Sequence, residues 1–149
     1  MPQPKLGDPT DFSYRINKVT KVVDGDTIDV IMDMGFDIMY KSRVRLFGID
    51  TPESRTRNLD EKKRGLLAKK YLQEALKAGS KLSIKTYKDN ETGKFGRILG
   101  DVFIDGKSIN AQMVKDFMAV PYTGQSKDMV ERLHEANKLM LLRLGKISG

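Results

Sequence analysis

A chain of 149 residues, 39% hydrophobic and 32% charged, is long enough to bury one core beneath a strongly charged surface. It has no cysteine and one histidine, His134, which excludes disulfides, thiolate metal sites and cysteine nucleophiles and leaves too few imidazoles for a zinc cluster. Its 27 Lys and Arg exceed 20 Asp and Glu, and the net charge of +7 favours an anionic partner such as nucleic acid, a phosphorylated ligand or an anionic membrane.

Residues 1–12 are rich in proline and polar groups and read as a flexible N-terminal arm. They hold no apolar run of the kind a signal peptide needs, and no segment is long and apolar enough to span a bilayer. The expectation is a cytoplasmic protein or the processed form of a secreted one. Residues 13–149 show no repeat and no linker and read as one domain. A strand is expected over 14–23, a turn at Asp24-Gly25-Asp26 and a returning strand over 27–31. A wide loop around Gly35 leads to a third strand over 41–49.

Asn58 is positioned to cap a helix, with Glu61 three residues on to reach back to the cap. Leu67, Tyr71, Leu72, Ala75 and Leu76 follow helical spacing, and Gly79 is the stop. Strands are expected over 81–87 and 98–104, separated by a charged loop and followed by the hairpin signal Asp105-Gly106. A short helix over 109–117 and a last helix starting at Ser126 complete the chain. The apolar face of the last helix is read as Met129, Leu133, Ala136, Met140 and Leu144, with His134 a structural residue on its polar side. Five short strands with a helix between the third and fourth give an α+β chain, in the pattern of an oligonucleotide-binding (OB-fold) barrel.

The chemistry gathers at strand ends. Asp26 follows one tight turn and Asp50 closes another strand; if those ends are neighbours, two carboxylates converge and call for a hard cation between them. The Thr51 backbone carbonyl adds a third oxygen and leaves positions open for water and substrate, as a catalytic ion requires. Alternatively both aspartates are turn residues or strand caps. Glu53 is the candidate general base, or else an exposed glutamate paired with Arg55 or Arg57. Arg45 stands inside an apolar strand and needs an anion, either Asp50 or Glu53 or a phosphate. A regular pleat would send Arg45 and Asp50 to opposite faces, and Gly48 is the residue that would let the strand bend. Arg97, after Lys94-Phe95-Gly96, is a second guanidinium for charge growing on a phosphoryl group, or part of a charged hairpin.

Taken together, Val23-Asp24-Gly25-Asp26-Thr27, Arg45-Leu46-Phe47-Gly48-Ile49-Asp50-Thr51-Pro52-Glu53 and Lys94-Phe95-Gly96-Arg97 resemble the staphylococcal nuclease (thermonuclease) family in order and separation. The resemblance implies an OB-fold barrel with three helices. It implies Ca²⁺-dependent, sugar-nonspecific hydrolysis of DNA and RNA to 3′-phosphates. A monomer acting on single strands by preference, with no membrane partner, is expected beside it. Asp26, Asp50 and Thr51 would hold Ca²⁺, Glu53 would activate water, and Arg45 and Arg97 would stabilise the transition state. Lys94, Phe95 and Tyr122 would bind substrate. The family often has tyrosine where Phe95 stands, and its paired tyrosines before the last helix are reduced here to Tyr122. Arg55, Arg57, Lys62, Lys63 and Arg64 either add phosphate contacts or form a solvated helix face. The other reading is a non-catalytic nucleic-acid or protein-binding module on the same barrel.

Overall fold

The computed structural model describes residues 12–87 and 97–149, Arg97 by its backbone alone. Strand β1 (Ser13–Asp24) pairs antiparallel with β2 (Thr27–Asp33), which pairs with β3 (Met39–Leu46). After β4 (Ile49–Asp50) and helix α1 (Leu59–Ala78), β5 (Leu82–Tyr87) joins the free edge of β1, and β6 (Arg97–Ile104) pairs with β5. A parallel pairing of β6 with β3 closes the sheet into a five-stranded barrel. Such closure leaves no long edge open. Strand β7 (Lys107–Ser108) extends β6, α2 spans Ile109–Lys115, β8 (Val120–Pro121) pairs with β4, and α3 spans Lys127–Arg143. This is the α+β OB-fold barrel with three helices expected from the sequence.

Alternation decides which face is inside. Ile28, Val30 and Met32 of β2 and Val44 and Leu46 of β3 are buried, so Thr27, Asp29, Arg43 and Arg45 lie on the outer face. The register of β1 against β2 shifts at three places, which coils this long strand around the barrel and spoils its simple alternation. Ala68, Leu72 and Leu76 of α1 cap the barrel interior and join Ile84 and Val102 in one core. Each fully buried large side chain contributes about 1.5–3 kcal/mol.

Several local expectations are corrected. The third strand stops at Leu46 rather than running to 49, because Gly48 takes φ +78°, and Ile49–Asp50 becomes a separate strand against Val120–Pro121. The Asn58 side chain caps α1 by accepting from the Asp60 and Glu61 N–H groups, but Glu61 does not return to the cap. Its Oε1 accepts instead from the Glu53 N–H at 3.4 Å. Gly79 ends α1 in an extended conformation, and a Cβ there would lie 2.3 Å from Ile104 Cγ2.

The inner face of α3 is also turned from the expected one. Leu141 is its buried residue, with Val130, Leu133, His134 and Asn137 half-buried, while Met129, Ala136 and Leu144 are exposed. Of the expected N-terminal arm, only Phe12 lies within the described residues, and its carbonyl accepts from the Thr86 N–H on β5. No described helix is long and apolar enough to cross a membrane.

Candidate active site

The bend at Gly48 brings Arg45 and Asp50 to one side of the barrel. Arg45 leaves the outer face of β3 beside Thr27, its register partner at the start of β2. Its Nη1 lies 2.8 Å from Asp26 Oδ2, an ion pair not aligned as a hydrogen bond, and its Nη2 donates to Asp50 Oδ1 at 3.3 Å. Asp26 and Asp50, 24 positions apart in the chain, therefore flank one guanidinium.

The two carboxylates are held differently. Asp26 is buried, and accepts from Thr27 Oγ1 at 3.0 Å and from the Thr51 N–H at 3.3 Å. Burial pushes its carboxyl above the usual range; the Arg45 guanidinium and the Thr51 N–H pull it down, and the negative charge of Asp50 pushes it further up. Asp50 is half-exposed, and its second oxygen, Oδ2, lies 2.7 Å from His134 Nε2 on α3.

Thr51 is buried immediately after Asp50. Glu53 is exposed, and its side chain makes no ion pair or hydrogen bond among the described residues; the pairing with Arg55 or Arg57 does not form. Its backbone is fixed against α1, because Gly65 there has no side chain: a Cβ would stand 2.3 Å from the Glu53 carbonyl oxygen. Tyr122 is exposed, and its N–H donates to the Gly48 carbonyl at 2.8 Å, beside the β4–β8 pair that carries Asp50.

Lys94 and Phe95 lie outside the described residues, as does the Arg97 side chain. The Arg97 backbone opens β6 in register with Arg43 of β3, two positions before Arg45. Arg64 does not belong to the exposed basic set: it is buried, with Nη2 3.6 Å from Asp60 and Nη1 donating to the His134 carbonyl at 3.5 Å. Arg55, Arg57, Lys62 and Lys63 are exposed.

Two residues to which the sequence reading gave no part in the site complete the frame. Asn110 is buried at the start of α2 and donates from Nδ2 to the Phe47 and Gly100 carbonyls while its Oδ1 accepts from the Val102 N–H. It thereby fixes the turn between Arg45 and Asp50. His134 was placed on the polar side of its helix, yet its side chain is 14% exposed and meets Asp50 across 84 positions of sequence. Its position beside Leu133 on the inward side of α3 was the available signal.

Among the described residues, no three His, Asp or Glu side chains are grouped so that they could hold a metal ion. The donor chemistry still fits a hard cation: two carboxylates flank one guanidinium beside a buried threonine, with no thiolate in the chain.

The profile of the family described as Staphylococcal nuclease homologue matches residues 43–140, well over half of the chain, though it begins after Asp26. Endonuclease YncB of Bacillus subtilis (strain 168) is 34% identical over 99 residues, 66% of this chain and 44% of that protein. SPbeta prophage-derived endonuclease YokF of the same organism is 35% identical over 99 residues, 66% of this chain and 31% of that protein. Protein ParB of Escherichia coli is 32% identical over 114 residues, 70% of this chain and 56% of that protein. The chain thus spans less than two thirds of the length of each of these relatives. On the profile match and the barrel, the chain belongs to the staphylococcal nuclease homologue family.

Proposed function

We propose that this chain is a Ca²⁺-dependent nuclease that hydrolyses phosphodiester bonds of DNA and RNA. The observation that carries this reading is the convergence of Asp26 and Asp50 on Arg45, with burial and mutual repulsion raising the Asp26 carboxyl. Two relatives bear the name endonuclease, and the net charge of +7 suits a polyanionic substrate.

In this proposal Asp26, Asp50 and the Thr51 carbonyl hold Ca²⁺, which supplies Lewis-acid polarisation of a phosphoryl oxygen when bound. Glu53, exposed and without an ion pair among the described residues, orients a water molecule and accepts its proton as the water oxygen bonds to phosphorus. The bond from phosphorus to the 5′ oxygen breaks, the 5′ oxygen leaves and takes a proton from solvent, and the phosphate stays on the 3′ side. Arg45 and Arg97 stabilise the charge that gathers on the phosphoryl oxygens. Lys94, Phe95 and Tyr122 contact the nucleotide, with single strands preferred because their bases are free to meet a ring.

The test is cleavage of a defined single-stranded oligonucleotide with Ca²⁺ and with chelator, followed by analysis of the product ends. Ca²⁺-dependent products ending in 3′-phosphate support the proposal. Salt-sensitive binding without cleavage would favour a non-catalytic binding module instead.

A further inference from the structure

We infer that His134 is a positioning residue for Asp50, through which α3 sets the orientation of one member of the acidic pair. The inference rests on the proposed cation site and adds to it a residue from an element that contributes none of the groups named above.

The argument begins with how unequally the two aspartates are held. Asp26 has Thr27 Oγ1, the Thr51 N–H and Arg45 around it. Asp50 stands on a two-residue strand, and its carboxylate has only Arg45, at 3.3 Å, and His134, at 2.7 Å, among the described residues. When Arg45 turns to a phosphate, His134 alone keeps the Asp50 side chain from rotating. Its Nε2 carries the proton of this hydrogen bond, since a carboxylate oxygen accepts. Oδ2 is therefore engaged by His134, and Oδ1, which accepts from Arg45 Nη2 at 3.3 Å, becomes the oxygen for a cation once Arg45 is drawn to a phosphate.

The helix carrying His134 is tied to the same place from the other side. Asn137 Nδ2 donates to the Ala119 carbonyl at 3.0 Å, next to Val120, whose register partner on β4 is Asp50. Lys138 Nζ lies 2.7 Å from Asp60 Oδ2, which joins α3 to the first turn of α1. Both the backbone and the side chain of Asp50 are thus referenced to α3.

The other nitrogen of His134 argues against a purely stabilising role. Nδ1 is buried with no partner among the described residues, which costs free energy that a leucine at this position would avoid. What the imidazole provides in return is its contact with Asp50. Groups that hold a ligating side chain from behind commonly change metal affinity 10–100-fold when removed.

As the chain's one histidine, His134 gives a single imidazole spin system in ¹⁵N nuclear magnetic resonance spectra, free of overlap from any other. Three proteins are compared: wild type, His134→Ala and His134→Gln, whose side-chain amide can still donate to Asp50. Ca²⁺ affinity is read by calorimetry without substrate, kcat and KM on a defined oligonucleotide, and folding by Tm. We expect the wild-type imidazole resonance to move on Ca²⁺ saturation, and the Ca²⁺ Kd of His134→Ala to rise about tenfold. We also expect kcat to fall at limiting Ca²⁺ with KM within about twofold, and Gln to restore most of the loss. A folded His134→Ala protein with wild-type Ca²⁺ affinity and kcat overturns the inference, as does a Gln variant as impaired as Ala. If Ala does not fold, an imidazole resonance indifferent to Ca²⁺ in wild type overturns it. Wild type that neither binds Ca²⁺ nor cleaves removes the proposed function and this inference with it; wild type that does both, beside an unaffected variant, removes the inference alone.

Discussion

Gly65 on α1 lies directly beneath the carbonyl of Glu53: a Cβ at position 65 would stand 2.3 Å from that oxygen and 2.6 Å from the Ser54 nitrogen. Both obstacles are backbone, so a larger residue must move the segment rather than a flexible side chain. Alanine is otherwise favoured over glycine inside a helix by about 1 kcal/mol. Gly65→Ala should therefore retain the fold by circular dichroism yet displace Glu53, lowering kcat at least about tenfold. Unchanged turnover in the folded variant would show that the position of Glu53 does not matter.

Asn110 makes three hydrogen bonds that bind the Phe47 turn to β6. Replacement by leucine takes the side-chain partner from the Val102 N–H and the Phe47 carbonyl, while the Gly100 carbonyl keeps the Phe47 N–H as a donor. Urea unfolding should show a loss of about 2–4 kcal/mol. A loss near zero would mean that the turn is held by other contacts.

Arg45 is the counter-ion of the acidic pair. Arg45→Met removes the guanidinium that Asp26 and Asp50 share, and removing one partner of such a largely buried ion pair costs about 3–5 kcal/mol. The loss should appear as a lower Tm in chelator and be partly restored by saturating Ca²⁺. A Tm indifferent to Ca²⁺ would count against a cation between these carboxylates.

The Tyr71 hydroxyl on α1 donates to Asp116 Oδ2 at the end of α2, and Gln112 Nε2 donates to the same oxygen. Burial first, and then the bond to Asp116, push the Tyr71 hydroxyl up to about 12 from an ordinary value of 10.0. A raised folded value means that the stabilisation is whole below pH 10 and is lost as pH climbs towards 12. Tyr71→Phe should cost roughly 1 kcal/mol near neutral pH, discounted for its partial exposure. The gap to wild type should close between about pH 10 and 12. A gap that stays constant through that window would exclude the hydroxyl as its source.

Much of the barrel was legible because its signals are local. The returning strand after the turn at Asp24-Gly25-Asp26, expected over 27–31 and found over Thr27–Asp33, and the caps at Asn58 and Ser126 each rest on signals within a few residues. What escaped depends on contacts across the chain. Strands β4 and β8 have two residues each, too few for any period to show. The apolar positions of α3 suggested a face of Met129, Leu133, Ala136, Met140 and Leu144, of which Leu133 and Met140 are half-buried, whereas the side turned inward also carries His134 and Asn137, whose partners are Asp50 and Ala119. Arg64 looked like one cation of an exposed basic run until α3 was placed over it.

The most direct test is the initial rate of oligonucleotide cleavage against Ca²⁺ concentration, for wild type and Asp26→Asn. The account predicts saturable, chelator-sensitive cleavage by wild type and, for the variant, at least a hundredfold loss at a Ca²⁺ concentration that saturates wild type, roughly the scale seen when a charge stabiliser is removed. Cleavage by wild type that ignores chelator, or a variant as fast as wild type, would contradict it.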